Sequence, residues 1–276
     1  MKSLNTRLIK NILQTIAGIA LMYALTVFFA GCPSPKPVQH EELPPPPPEP
    51  AREFFITVGS VDLSSFPRKI EKSDIRKFTS QVKKDSLDIL TLQGITRYPD
   101  LKDRIDIVDE LSATTEMAAA FGETMTLTGR QSGNGIFSYY PIKSHESTSY
   151  TRLRSTRFES ALQAIIDCGE RELVIVSTQL PEKTTLDEQS VIASTLGGFN
   201  IFYINRPMII SGNLLLSKTM RSLTSYNVVE NEKDKSLPKF WYSNDGSLRV
   251  KYSKTVETAL GRMLCVRFNL SPPLQP

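Results

Sequence analysis

Gly129 to Ile142 reads GRQSGNGIFSYYPI, and the organisation of the chain follows outward from it. Gly135 to Ser138 is a short apolar-rich strand. Met125 to Leu127 is a second, with a polar, glycine-containing turn between them. Toward the N-terminus, Asp88 to Gln93 (DILTLQ) is a short apolar run of the kind a buried strand needs. Leu101, Ile105, Val108 and Leu111 repeat at helical spacing, as do Ile75, Phe78 and Val82 behind a capping Ser73. Glu53 to Leu63 (EFFITVGSVDL) has the Phe, Ile, Val and Thr content of a strand. Toward the C-terminus, Ser160 to Asp167 and Glu172 to Thr178 predict a hairpin turning at Cys168-Gly169-Glu170. Thr185 with Glu188 three residues on forms a capping box that starts a helix through Leu196. Met208 to Ser211 is a strand, Phe240 to Ser243 and Ser247 to Tyr252 a second hairpin, and Arg262 to Leu270 a closing strand. Strands alternate with helices and several hairpins are inserted, which predicts a mixed sheet core covered by helices.

The first 31 residues differ from all of this. Lys2, Arg7 and Lys10 are followed by no charged residue from Asn11 to Gly31, and the run ends in Phe29-Ala30-Gly31-Cys32. A basic start, an apolar stretch and small residues before a break mark a secretory signal peptide. With cysteine next, the pattern resembles the lipobox of bacterial lipoproteins, which implies that Cys32 becomes the diacylated first residue of the mature chain. An uncleaved transmembrane anchor is the alternative, since about 20 apolar residues also span a bilayer. Both tether the protein to a membrane of a bacterial envelope, facing the periplasm or exterior. Pro33 stands where an aspartate signals inner-membrane retention, so lipoprotein sorting favours an outer membrane where there is one. Pro33 to Pro50 is rich in proline, with Pro44 to Pro48 consecutive. At about 3.1 Å per residue in polyproline II it is a semi-rigid spacer reaching up to about 55 Å. Such tracts also serve as ligands for aromatic grooves. The expected domains are therefore 1–31 leader, 32–52 lipidated Cys and spacer, and 53–276 one globular domain.

Charge gives no support to one class of partner. The chain carries +4, and the three cations of the leader leave +1 for the rest. A near-neutral domain makes no electrostatic case for nucleic-acid binding. Besides Cys32 there are only Cys168 and Cys265, read as buried free thiols rather than a disulfide pair.

The order of motifs in the globular part resembles the endonuclease/exonuclease/phosphatase superfamily, the fold of deoxyribonuclease-type nucleases, sphingomyelinases and inositol phosphatases. Gly129 to Ile142 is similar to its G-x-x-G-N-A-I-L-S-x-x-P-I segment. DILTLQG, Asp88 to Gly94, is similar to D-I-L-x-L-Q-E, and LVIVSTQL, Leu173 to Leu180, to a strand ending N-T-H-L. Glu188-Gln189 stands at the family's R-x-x-Q helix, and IISGNLLLS, Ile209 to Ser217, at the strand running into G-D-F-N. The resemblance implies a four-layer α/β sandwich, two packed mixed β-sheets flanked by helices. It also implies phosphoester hydrolysis, with a Glu-held Mg²⁺, a His–Asp pair, and an Asp and Asn that orient water.

Carried over residue by residue, that chemistry is missing. The asparagine ending the first strand aligns with Ser60 and the metal-binding glutamate with Gly94. The histidine of N-T-H-L aligns with Gln179. The Asp and Asn of G-D-F-N align with Asn213 and Leu215, and Ala259-Leu260-Gly261 stands near the place of the terminal S-D-H. The chain has two histidines, His40 in the spacer and His145 in a segment read as a polar loop, so a two-histidine mechanism has no second histidine in the domain. Arg130, Gln131 and Asn134 persist in the best-matching segment beside Gln93 and Gln179. They suit either a polar, nearly uncharged ligand cleft or a loop kept only for the fold. The expectation is a non-catalytic binding or scaffolding module without cofactor, whose partner is an envelope protein or small ligand. The alternative is an atypical Mg²⁺-dependent phosphodiesterase or nuclease with a site relocated to Asp62, Asp88 or Asp245.

Overall fold

The computed structural model describes residues 14–20, 22, 53–64, 66, 69–99, 104–150, 160–169, 171–179, 185–213, 223–231, 233–234 and 236–271. The chain divides into two units, Met1–Pro50 and Ala51–Pro276. In the first, residues 14–20 are helical; Cys32 and the Pro-rich spacer lie outside the described residues. Among the described residues no helix is long and apolar enough to cross a membrane.

The second unit is built on strands whose side chains alternate between two cores. On β1 (Phe54–Asp62), Ile56 and Val58 point to one core and Val61 to another. On β2 (Ile89–Arg97), Ile89 points to the first, and Leu90 and Leu92 to the second. The remaining strands are β3 (Ala118–Leu127), β4 (Arg130–Ser138), β5 (Ile142–Ser149), β6 (Ser160–Asp167), β7 (Glu172–Thr178), β8 (Met208–Gly212), β9 (Tyr226–Val229), β10 (Lys239–Ser243), β11 (Leu248–Thr258) and β12 (Gly261–Leu270). They form two six-stranded sheets, in the orders β11-β12-β1-β2-β4-β3 and β5-β6-β7-β8-β10-β9. Both are mixed: β1 runs parallel to β2 and β7 parallel to β8, and the other pairings are antiparallel.

One core, with Ile56, Ile136, Ile175, Ile209 and Phe268, lies between the sheets. The second lies under helices α1 (Lys72–Lys84) and α2 (Ile107–Thr115), and the third under α3 (Leu186–Phe202). Helix, sheet, sheet and helix make the four layers of an α/β sandwich. Ile75, Phe78 and Val82 are fully buried, as their spacing predicts. The Thr185–Glu188 capping box is formed and opens α3, which continues past Leu196 to Phe202.

Four local expectations are corrected. α1 is capped not by Ser73 but by Glu71, two residues earlier, in a reciprocal box with Asp74. α2 begins only at Ile107, because the Asp106 carboxylate accepts the Val108 and Asp109 N–H groups; Ile105 precedes the helix and Leu101 lies outside the described residues. The segment around His145 is not a loop but edge strand β5, recruited by pairing to β6 although its side chains are mostly exposed and polar. β10 and β11 are not a hairpin. Gly246, at φ 82, and Asp245, whose side chain accepts the Ser247 N–H, turn the chain from one sheet into the other. β10 therefore pairs with β8 and β9, and β11 with β12.

Candidate functional site

The two parallel pairs β1/β2 and β7/β8 end at the same end of the sandwich, and their inner faces change character along the strands. On β1 the inward residues run Ile56, Val58, Ser60, Asp62; on β2 they run Ile89, Thr91, Gln93. On β7 they run Leu173, Ile175, Ser177 with Gln179 next, and on β8 Ile209, Ser211 with Asn213 next. Period-two alternation thus sets a polar layer on an apolar one, at the carboxyl ends where open sheets bind ligands. Ser60 and Asn213 are brought to this layer, and half-buried Gln179 directly follows β7 at the same end. Leu215 lies outside the described residues.

The layer bonds to itself. Ser60, Thr91, Gln93, Ser177 and Ser211 are each fully buried. Ser60 Oγ donates to Gln93 Oε1 at 3.3 Å, and Gln93 Nε2 donates across the sheets to Ser177 Oγ at 3.0 Å. Ser177 Oγ donates to the Leu92 carbonyl at 3.4 Å. Ser211 Oγ lies 2.7 Å from Thr91 Oγ1, and Thr91 Oγ1 donates to the Gly59 carbonyl at 3.3 Å. Every group here is a neutral hydroxyl or amide, and a satisfied buried network of this kind ties two sheets rather than binding solute. At its edge Asn213 Nδ2 donates to Asp62 Oδ2 at 3.2 Å, and Asp62 Oδ1 accepts the Ser64 N–H at 2.9 Å. Asn213 Oδ1 is buried without a partner among the described residues.

Gly94 stands outside this pattern. A bulge between Leu92 and Ile95 and a φ of 67 turn it out of the inner face. A Cβ there would come within 2.7 Å of the Ser64 backbone nitrogen, so the β1–α1 loop occupies the space a side chain needs. Gly212, at φ 151, is needed for a similar reason: its Cβ would meet the Thr178 carbonyl oxygen at 1.6 Å. The residues present do not fit a Mg²⁺ ion, which takes carboxylate and other oxygen ligands in near-octahedral array. Among the described residues of this layer only Asp62 offers a carboxylate, and it bonds to Ser64 and Asn213. Among the described residues no group of three or more His, Cys, Asp or Glu is placed to hold a metal.

The other acids lie elsewhere. Asp88 precedes β2, where Thr57 donates its N–H to Asp88 Oδ2 at 2.8 Å, and burial pushes its carboxyl above the usual range. Thr57 is five residues back along β1 from Asp62, about 16 Å at strand rise. Asp245 caps its own turn at that same far end. The structure therefore does not bring Asp62, Asp88 and Asp245 together. His145 is exposed on β5. Cys168 and Cys265 are both free, and burial pushes each thiol up to about 12, so neither is a thiolate nucleophile near neutral pH.

The three residues of the GRQSGN segment separate. Asn134 is buried and donates Nδ2 to the Ser160 carbonyl at 2.9 Å, a link from β4 to β6. Gln131 is half-buried opposite Arg97 in the β2/β4 register. Arg130 is exposed at the start of β4 and lines a cavity of about 350 Å³ beside Gly94. Gln93 and Asn134 are both buried, so neither stands in an open cleft. The adjoining cavity takes Lys69 and Arg104 from loops. No periodicity flags a loop cation.

Solved structures share the four-layer fold. A Beutenbergia cavernae endonuclease/exonuclease/phosphatase superposes with a TM-score of 0.61 at 12% identity, over 80% of this chain and 72% of that one. The chain has the endonuclease/exonuclease/phosphatase fold. The human Nocturnin catalytic domain, solved with a bound sulfate anion, gives 0.61 at 14% identity over 80% and 97%. A Bacteroides vulgatus endonuclease/exonuclease/phosphatase gives 0.59 at 9% identity over 79% and 100%. No protein-family model and no curated protein matches the chain. At these identities the likeness is one of fold, and the fold leaves the chemistry to the residues of the site.

Proposed function

We propose that this protein is a non-catalytic binding or scaffolding module of the bacterial cell envelope. It keeps an endonuclease/exonuclease/phosphatase fold and is tethered by diacylation of Cys32. The observation that carries the reading is the neutral, buried, mutually bonded layer formed by Ser60, Thr91, Gln93, Ser177 and Ser211. It fills the end of the sandwich where hydrolysis would need a charged ligand set and a base of suitable pKa. Gln179 and Asn213 supply neither. The separation of Asp62 from Asp88 and Asp245 gives no support to a relocated metal site.

Two measurements test this. The full chain, assayed with Mg²⁺ on DNA, a lipid phosphodiester and bis-p-nitrophenyl phosphate, is expected to give no turnover above a protein-free control. Turnover abolished by a chelator overturns the non-catalytic reading. Separately, expression with labelled palmitate is expected to label the wild type and leave Cys32→Ser unlabelled. Equal labelling of both removes the anchor.

A further inference from the structure

The cavity beside Gly94 lies among the β1–α1 loop, the end of β2, the approach to α2 and the β3–β4 turn. Its volume is about 350 Å³, at the small end of the roughly 300–1,000 Å³ typical of ligand pockets. Gly94, Thr96 and Tyr98 face it from alternate positions of β2 and its extension. Leu63, Phe66, Ile70, Ile105 and Ile107 give it an apolar lining.

Among the described residues its lining charge is of one sign. Lys69, Arg104 and Arg130 line it, and no acid does among the described residues. The nearby carboxylates are engaged elsewhere. Asp62 accepts from Ser64 and Asn213. Asp106 accepts two N–H groups of α2 and the Arg97 guanidinium, which also lies 3.5 Å from Asp109. Glu110 faces Lys72. The Arg104 guanidinium is stacked 5.0 Å over the Tyr98 ring, a contact that orients the cation without neutralising it. Arg130 makes no ion pair among the described residues.

A cavity with an apolar, aromatic-containing lining and two arginines among its lining residues complements one kind of solute. We propose that it binds a small amphiphilic anion, a phosphate-type headgroup carried on a compact apolar or aromatic body. The guanidinium groups take the headgroup through charge-assisted hydrogen bonds. Phe66, Ile70 and Ile105 take the body. This names a ligand class for the binding module proposed above, and rests on that reading. The site is distinct from the polar layer between the sheets, and adjoins it at the turn at Gly94 and at Ser64, whose N–H bonds to Asp62.

The test uses the full chain in lipid nanodiscs, with empty discs as reference, titrated with 1-naphthyl phosphate, 1-naphthol and inorganic phosphate. Naphthyl phosphate is expected to bind saturably below about 1 mM and about tenfold or more tighter than either half of the molecule. Arg104→Ala and Arg130→Ala are each expected to weaken it about three- to tenfold with unchanged melting temperature. Thr96→Trp, which places bulk in the cavity, is expected to abolish it. Three results overturn the proposal: no saturable binding in that range, equal binding by naphthol or by phosphate, or affinity unchanged in both arginine variants. Release of 1-naphthol with Mg²⁺ would instead break the non-catalytic reading, and it registers in the same titration independently of the affinity pattern.

Discussion

The inner face of the four central strands and the cavity beside Gly94 are both polar, and they meet at one turn of β2, yet they are polar in opposite ways. The inner face holds hydroxyls and amides with no exposure and reciprocal partners. The cavity is lined by Arg104, stacked on Tyr98, and by Arg130, which makes no ion pair among the described residues. The first arrangement lowers the cost of burying polar groups between two sheets. The second leaves a field that a solute can satisfy. Polarity at the end of a fold that elsewhere hydrolyses phosphoesters is thus no guide to where a ligand goes; the guide is whether the polar groups already have partners.

The largest expected effect comes from charging the first region. Gln93→Glu places a carboxylate between Ser60 and Ser177, where it can accept from both but the Nε2 donor is lost. An uncompensated buried charge is expected to cost about 3–5 kcal/mol in denaturant unfolding at pH 7. Burial raises the folded-state pKa of such a group above its unfolded value of about 4.3. The penalty is therefore absent below that value, where both states are protonated, and grows as pH rises toward the folded pKa. A variant equally destabilised at pH 4 and pH 7, relative to the wild type at each, would show that charge is not the cause. A variant as stable as wild type at pH 7 would show that solvent reaches the layer.

Gly94→Glu tests the boundary between the regions by returning the side chain that the resemblance implies. A non-glycine residue at positive φ costs about 1–2 kcal/mol, and a Cβ 2.7 Å from the Ser64 nitrogen forces the β1–α1 loop to shift. A loss of about 2–4 kcal/mol is expected, with no rise in melting temperature on adding Mg²⁺. A Mg²⁺-dependent rise would mean that one substitution restores a metal site, and the inner layer would then be less closed than its bonding indicates.

Much of this end of the molecule is legible in the sequence, and the limit is physical. Alternation along LVIVST and MIIS places Ser177 and Ser211 opposite the outward Val176 and Ile210, so which residues share a face follows from period two. The ordered motifs lead to the sandwich, and the positions of Ser60, Gln179 and Asn213 at one end follow from it. What periodicity cannot carry is contact between sheets. Gln93 meets Ser177 across 84 residues and Ser211 meets Thr91 across 120, so a cleft and a closed network look alike until the sheets are stacked. The hairpin reading of β10 and β11 failed for the same reason, since two strands joined by a short turn can end in different sheets. Lys69 and Arg104 come from loops, where no repeat distinguishes a cavity wall from solvated surface.

The smallest effects divide one segment between the two regions. Asn134 and Arg130 are four residues apart in GRQSGN and were grouped by their common motif. Asn134→Ala removes the donor to the Ser160 carbonyl, which also accepts from Thr178 Oγ1 at 3.2 Å, so the carbonyl keeps one partner. The expected cost is about 1–2 kcal/mol, one buried hydrogen bond and its packing. Arg130→Ala removes an exposed side chain with no ion pair among the described residues, and its stability is expected to stay within about 0.5 kcal/mol of wild type. Both are read from denaturant midpoints, and their difference decides whether the segment is one site or two. If Arg130→Ala cost as much as Asn134→Ala, the arginine would belong to the framework, and the cavity would lose a cation that is free to meet a solute. A neutral Arg130→Ala beside a costly Asn134→Ala places Asn134 alone in the framework, and the binding titration then decides whether the arginine meets a solute.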